Sequence, residues 1–70
     1  MAQNKPKEIS IYNKSFIKGD LVEVFTEDKI IKCYIQKIKK DCILVEEIIH
    51  KKVLNIKLED IENIFFIILE

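Results

Sequence analysis

Residues 16–45 constrain the fold most strongly, because their apolar side chains alternate in three blocks separated by short polar turns. Val22 and Val24 fall on one face of the first block, as expected of a half-buried strand. The polar breaks at residues 27–29 and 39–41 have the length of hairpin loops. The sequence therefore predicts three consecutive antiparallel strands, at residues 21–26, 30–39 and 42–45.

The second block changes the phase of its alternation partway along. Ile35 shares a face with Ile31, whereas Ile38 falls on the opposite face. Because a slip of one residue moves every later side chain to the other face, a β-bulge near Gln36 and Lys37 is predicted to restore the register. A long strand bent at its middle is typical of small barrels.

The flanking segments complete the predicted sheet. Ile9 and Ile11 alternate with polar residues, which predicts a short strand or extended arm before a turn at residues 13–15. Gly19 is the one glycine of the chain, and its tolerance of positive φ predicts a turn. We expect residues 1–7 to form a flexible tail and residues 8–70 to form a single small β-barrel domain.

After the three central strands, Leu54 and Ile56 alternate with polar residues and predict a half-buried strand. Residues 58–63 fit a single helical or 3₁₀ turn that places Ile61 and Ile64 inward. The alternative is an α+β fold with a helix at residues 43–54 or residues 58–68, where apolar residues also lie near helical spacing. Fifteen isoleucines favour strands, because β-branched side chains suit them better than helices.

Composition narrows the function classes. Twelve lysines balance twelve acidic residues, so the net charge draws the chain neither to nucleic acid nor to an anionic membrane. The chain has no arginine, the residue best suited to bidentate phosphate or guanine recognition. Two cysteines at unrelated spacing and an N-terminus without an apolar segment predict a cytoplasmic protein.

The expected five strands, the bent second strand and the single helical turn before the last strand resemble the small SH3-like and Sm-like barrels. Residues 16–24 (FIKGDLVEV) resemble the opening of SH3-type and Tudor-type domains, with a Gly-Asp turn before the first strand. Residues 22–64 resemble the Sm-like pattern that Hfq-like and Rof-like proteins share. This resemblance implies an all-β fold, a small five-stranded SH3-like or Sm-like barrel with one helical turn before its last strand.

The chain departs from the Hfq-like pattern where that family binds uridine. Leu58 and Glu59 stand in place of its Lys-His motif, and Lys40 and Asp41 stand in place of its Gln-Phe base-stacking pair. The Hfq-like uridine site is therefore not carried over to these positions. An aromatic cage of the Tudor type is not assigned either.

Catalysis is not expected from the residue types. Cys33, Cys42 and His50 are the soft metal ligands, with eight and seven residues between them. Structural zinc sites use four ligands with closely paired spacings, so two buried cysteines and a solvated histidine explain the pattern better. The sequence predicts a protein that is not an enzyme, with no catalytic residues, no metal site and no cofactor.

Two candidate surfaces remain. The first is a lysine rim able to contact a phosphate backbone, because two lysine-rich turns were expected at the same end of the sheet. Its candidate nucleic-acid-binding residues are Lys37, Lys39, Lys40, Lys51 and Lys52. The competing explanation is a set of solvated loops, since acidic residues lie among the lysines.

The second surface is the last strand, which is apolar on both faces. Such a strand left at a sheet edge promotes aggregation unless another strand covers it. Self-association is predicted, through Ile64, Phe65, Phe66, Ile67, Ile68 and Leu69. The alternative is that the N-terminal strand covers this edge within one chain.

The function predicted from the sequence is that of a non-enzymatic small β-barrel regulator or adaptor, homo-oligomeric, that binds a protein partner and does not act at a membrane. Its acidic and apolar surface, with Glu23, Glu46 and Glu47, is the expected contact region. The alternative is an Sm-like oligomeric RNA-binding protein that uses the lysine rim. Balanced charge and the lack of arginine favour the protein partner.

Overall fold

The computed structural model describes residues 8–68, which form strands and one short helical turn. Residues 1–7, predicted to be a flexible tail, and residues 69–70 lie outside the described residues. A 3₁₀ turn at Leu58–Asp60 precedes the last strand. The prediction of an all-β fold is confirmed. The strands are β1 (Glu8–Ile11), β2 (Lys14–Ile17), β3 (Leu21–Phe25), β4 (Ile30–Ile38), β5 (Cys42–Glu47), β6 (Val53–Lys57) and β7 (Asn63–Phe66).

The three central strands are confirmed as β3, β4 and β5, which pair antiparallel in chain order. β4 ends one residue earlier than predicted, and β5 continues to Glu47. The β4–β5 register shifts between Ile35 and Lys37, so the predicted β-bulge is confirmed. Because of this shift, Ile35 and Ile38 are both buried although the sequence places them on opposite faces.

The N-terminal region is a hairpin, which the sequence indicated only in part. The strand predicted around Ile9 is confirmed as β1, but the turn predicted at residues 13–15 is misplaced. The turn consists of Tyr12 and Asn13, with φ of 52° and 66°, and the next two residues already belong to β2. Two-residue hairpin loops favour positive φ at both of their positions. Asparagine tolerates this conformation, whereas tyrosine seldom adopts it, so the sequence did not indicate the turn.

The turn between β2 and β3 is confirmed at Gly19, whose φ is 96°. The Gly19 N–H donates to the Ile35 carbonyl at 2.7 Å, which fixes the turn against β4. The Asp20 carboxylate accepts a hydrogen bond from the Ile17 N–H at 2.9 Å and closes the turn from its other side. Positive φ at this position suits glycine because a Cβ would strain the backbone.

The C-terminal region follows the predicted order of strand, short helical turn and strand. Ile56 on β6 is buried, and Ile61 and Ile64 both point into the core as predicted. The helical alternative at residues 43–54 or residues 58–68 is wrong, because the 3₁₀ turn is the one helical element of the described chain. Strands at these positions bury alternate β-branched side chains, which a helix would crowd against the preceding turn.

The strands form two antiparallel sheets. β1 and β2 form a separate two-stranded sheet, and the other five strands are ordered β6-β5-β4-β3-β7. The chain returns after β6 so that its last strand pairs with β3, the first strand of the larger sheet. β6 and β7 are therefore the two edges of this sheet, and no strand pairing joins these two edges within residues 8–68.

One face of the larger sheet carries the hydrophobic core, and the β1–β2 hairpin packs against it. Ile9 and Ile11 of β1 are partly buried there, and Phe16 of β2 is fully buried. No polar or charged side chain of the described residues is buried. Within residues 8–68 there is no helix of the length and apolarity that crossing a membrane requires. The buried core comprises Phe16, Val22, Val24, Ile31, Cys33, Ile35, Ile38, Ile43, Val45, Ile56, Ile61 and Ile64.

Candidate functional site

The last strand divides its side chains between the core and the surface. Ile64 pairs with Val24 and is fully buried, whereas Phe65, one residue further, lies on the outer face and is 39% exposed. Phe66 returns to the core face, but at the sheet edge it remains 46% exposed. Ile68 is 82% exposed. β7 and the two residues after it therefore contribute one core residue and three large apolar residues in contact with solvent.

We call Phe65, Phe66 and Ile68 the β7 surface. A neighbouring aromatic ring supports it, because Phe25 packs edge to face against Phe65 with 5.5 Å between the ring centroids. Edge-to-face aromatic pairs add about 0.5–1.5 kcal/mol beyond the area they bury. The Phe65 ring is thus held in place on the outer face and presents its remaining surface to solvent.

The β1–β2 hairpin reaches β7 through side chains and not through a strand ladder. The Tyr12 hydroxyl donates to the Ile61 carbonyl at 3.0 Å, and the Lys14 Nζ donates to the Ile64 carbonyl at 3.4 Å. The Phe16 ring lies 4.6 Å from the Phe66 ring, centroid to centroid. Side chains of the hairpin therefore satisfy two main-chain acceptors, one in β7 and one just before it, that the sheet itself leaves unused.

Lys14 is the charged residue at the boundary of the β7 surface. Its ammonium group lies 4.4 Å from the centroid of the Phe65 ring, in the arrangement of a cation–π interaction. Among the described residues, no carboxylate lies within 4.0 Å of this ammonium group. Lys14 is thus held by an aromatic face and a carbonyl, and its charge is open to an anionic group from outside.

The residues predicted for self-association do not share one environment. Ile64 belongs to the core, Ile67 is half-buried, and the exposed members are the three residues of the β7 surface. Leu69 lies outside the described residues. The alternative, in which the N-terminal strand covers the edge, is realised only by the side-chain contacts of Tyr12, Lys14 and Phe16. No local pattern in the sequence indicates these contacts, because they depend on where the hairpin packs.

The predicted lysine rim does not form as a single cluster. Lys39 and Lys40 lie in the loop before β5, whereas Lys51 and Lys52 lie in the loop after it. Antiparallel pairing of β5 with both neighbours puts these loops at opposite ends of the strand, about 16 Å apart for six residues. Lys37 is exposed near the end of β4, on the side of Lys39 and Lys40. The expectation of five lysines on one rim is therefore wrong.

Two further lysines, outside the predicted rim, line clefts of the surface together with carboxylates. Lys18 lines a surface cleft of about 460 Å³ that Glu46 also lines. Lys57 lines another cleft, of about 340 Å³, together with Asp41 and Glu59. Each lysine is thus accompanied by carboxylates. These clefts present mixed charge and not the continuous positive surface on which nucleic-acid binding depends.

The acidic residues expected to contact a partner lie beside cationic or amide groups. Glu23 and Glu47 line one surface cleft of about 350 Å³ together with Lys32. The Glu46 carboxylate accepts a hydrogen bond from the Gln36 amide. Glu47 also lies 3.1 Å from the His50 ring, from its Oε1 to the imidazole Nδ1. The cleft therefore presents mixed charge and not a single acidic surface.

Cys33 and Cys42 are free thiols and both are buried. Burial, aided by the charge of Glu47, raises the pKa of the Cys33 thiol to about 12. This thiol is therefore neutral near pH 7, and the thiolate that nucleophilic chemistry requires is scarce. No group of three or more metal-binding side chains comes together within the described part of the chain.

Comparison of this chain with protein-family models, with curated proteins and with solved structures finds no match. The site geometry is therefore the basis on which its function is assessed.

Proposed function

We propose that this chain is a non-enzymatic regulator or adaptor of the SH3-like or Sm-like small-barrel type, which binds a protein partner through the β7 surface. The observation that carries the proposal is the placement of Phe65, Phe66 and Ile68, three exposed apolar residues on one sheet edge. Aromatic side chains are enriched where proteins bind one another, and a sheet edge offers main-chain hydrogen bonds as well.

The barrel assignment rests on the elements that carried the resemblance. In the larger sheet the second strand, β4, contains the β-bulge, and a 3₁₀ turn precedes the last strand. The last strand of this sheet, β7, pairs with its first strand in chain order, β3, so the beginning and the end of the chain segment that forms the sheet lie side by side. A sheet ordered in this way is able to curl toward a barrel, with the hairpin filling its open side.

Two observations support a binding role over an enzymatic one. The described core contains no buried polar or charged side chain that could act as a general acid or base. The one thiol with a strongly shifted pKa, Cys33, is shifted toward its unreactive form. We place this binding function in a reducing cytoplasm, where two buried free cysteines persist.

A protein partner is favoured over RNA because of how the two surfaces are built. The predicted lysines separate to opposite ends of β5, and the nearest clefts mix lysines with carboxylates. Strong phosphate binding depends on several cations that act together. The β7 surface is instead apolar on both sides of the sheet edge, with one cation, Lys14, at its boundary.

The test compares two aromatic variants. Phe65→Ser removes the central ring of the β7 surface, and Tyr34→Ser is its matched control, because Tyr34 is 44% exposed on β4. Loss of a central interface aromatic costs about 2 kcal/mol or more, so we expect a nuclease-resistant protein complex recovered with the natural chain to weaken at least about tenfold with Phe65→Ser. Tyr34→Ser should retain it.

Equal recovery of the complex by both variants would contradict the proposal. So would a complex that nuclease treatment destroys and that weakens when Lys39 and Lys40 are replaced by alanine. The latter result would identify RNA as the ligand and the Lys39 end as the site. Thermal unfolding of each variant provides the folding control, since both substitutions affect partly exposed side chains.

A further inference from the structure

At the C-terminal end of β7, alternate residues direct their main-chain groups away from β3, toward the free edge of the sheet. The Ile67 N–H donates to the Leu21 carbonyl at 3.0 Å, so pairing with β3 continues one residue beyond the strand. In an antiparallel ladder, alternate residues bond to the same neighbour. The main-chain groups of Phe66 and the N–H of Ile68 are therefore directed toward the free edge.

The N-terminal part of the same edge is already occupied. Ile64 also directs its main-chain groups away from β3, but its N–H donates to the Asn63 side-chain oxygen at 3.0 Å. Its carbonyl accepts from Lys14 Nζ at 3.4 Å. A strand approaching β7 thus meets Lys14 at Ile64 and finds open ladder positions only at residues 66–68.

The opposite edge of the larger sheet, β6, is bordered by lysines. β6 begins directly after Lys51 and Lys52 and ends at Lys57. Lysines at an edge strand oppose the addition of another strand. Pairing β6 of one copy with β7 of another would bring this lysine-flanked edge against the edge that carries Lys14. Residues 66–68 paired with themselves bring no charged side chain together.

We propose that residues 66–68 pair antiparallel with the same residues of a second copy, around a two-fold axis at Ile67. This inference rests on the proposed function, since it names one partner of the β7 surface. In this register Phe66 faces the partner's Ile68, and Ile67 faces the partner's Ile67. Isologous pairing of this kind closes as a dimer and does not propagate.

The occupied position at Ile64 excludes the two-fold register whose axis lies one residue earlier. An axis at Phe66 would place Ile68 opposite the partner's Ile64, where both main-chain groups are already bonded. An axis at Ile67 uses Phe66 and Ile68 alone, which are the residues directed to the free edge. It also covers Ile68, which is 82% exposed in the single chain. Lys14 and the Asn63 side chain therefore restrict the contact to the residues that follow Ile64.

The register makes a specific cross-linking prediction. Ile67 faces itself across the axis at a non-hydrogen-bonded position, where Cβ atoms lie closest. Under mild oxidation, Ile67→Cys should give at least about tenfold more covalent dimer than Val53→Cys, because a disulfide requires Cβ atoms about 4 Å apart. Val53, on β6, is 55% exposed and Ile67 is half-buried, so a higher dimer yield for Ile67→Cys would not result from greater exposure of its thiol. The natural chain should remain uncross-linked because Cys33 and Cys42 are buried.

The mass in solution completes the test. Sedimentation of the natural chain should show a monomer–dimer equilibrium, and Ile68→Lys should shift it toward monomer. A monomer at all concentrations, or equal cross-linking of both cysteine variants, would overturn the inference. Rings larger than a dimer would overturn it as well, since they require β6–β7 contacts. A monomer that still binds a different protein through Phe65 would refute only the dimer and would leave the proposed function intact.

Discussion

The two edges of the larger sheet are protected in different ways. β6 is flanked by Lys51, Lys52 and Lys57, and charge alone opposes the addition of another strand there. β7 carries apolar side chains, and part of its edge is covered by the hairpin through Tyr12 and Lys14. The lysines oppose strand addition at both ends of β6, whereas the hairpin covers only the part of the β7 edge that it contacts. Residues 66–68, which follow the part of the β7 edge that Lys14 contacts, are therefore where this chain can form new contacts.

The largest difference between the edges should come from removing the anchor of the hairpin. Phe16 is fully buried and packs on Phe66, so Phe16→Ala leaves a cavity and releases the cover of β7. We expect the free energy of unfolding to fall by about 3–5 kcal/mol. Urea denaturation measures this, and Ile17→Ala on the same strand, 51% exposed, is the control that should change little. Similar losses for both variants would show that Phe16 does not anchor the hairpin.

The second prediction places the same charge on each edge. Ile68→Lys puts an ammonium group on the open part of the β7 edge and should weaken self-association at least about tenfold, because lysine at an edge opposes strand addition. Val53→Lys adds the same charge to β6, which lysines already flank, and should leave association unchanged. Sedimentation of the two variants at matched concentrations distinguishes them. A larger effect of Val53→Lys would reverse the comparison.

A smaller effect is expected from loosening the cover without removing it. Tyr12→Phe deletes the hydroxyl that donates to the Ile61 carbonyl at 3.0 Å. A hydrogen bond of this kind contributes about 0.5–1.5 kcal/mol, so the free energy of unfolding should fall by about 1 kcal/mol. Amide exchange should accelerate more in the hairpin than in β6. Equal acceleration in both would indicate a global loss of stability instead of a local loosening of the cover.

The smallest effect is expected in β4, an inner strand that belongs to neither edge of the sheet. The pKa of Cys33 is raised to about 12 in the folded chain from an ordinary value of 9.0. Because the folded thiol keeps its proton where the unfolded thiol loses it, the contribution of Cys33 to stability is unchanged below pH 9 and falls above it. Comparing the alkaline stability of the natural chain with that of Cys33→Ala isolates this contribution from other titrating groups. An identical pH dependence of the two chains would contradict it.

Much of the fold follows from local patterns. Alternation at residues 21–26 and the phase change before Ile38 predicted the central strands and the β-bulge between Ile35 and Lys37. The short turn before the last strand was also predicted, with Ile61 and Ile64 inward. β2 was missed because its hairpin turns at Tyr12, a residue type that seldom adopts positive φ.

The candidate site was predictable only in part. The apolar last strand identified the β7 surface, because a strand that is apolar on both faces must leave some side chains uncovered. The lysine rim was wrong, since sequence spacing does not tell at which end of a strand a loop lies. That depends on the direction of β5 between its neighbours.

The sequence by itself determined where most of the strands form and which of their faces are buried, because side-chain alternation is a property of neighbouring residues. Only the tertiary structure decided which surfaces those strands make together. It separated Lys39 from Lys51, brought Lys14 to the edge of β7, and left the outward main-chain groups of residues 66–68 without a hydrogen bond from the hairpin within the described part of the chain. These placements depend on pairing order and on the packing of one fully buried side chain, Phe16, which joins segments fifty residues apart along the chain.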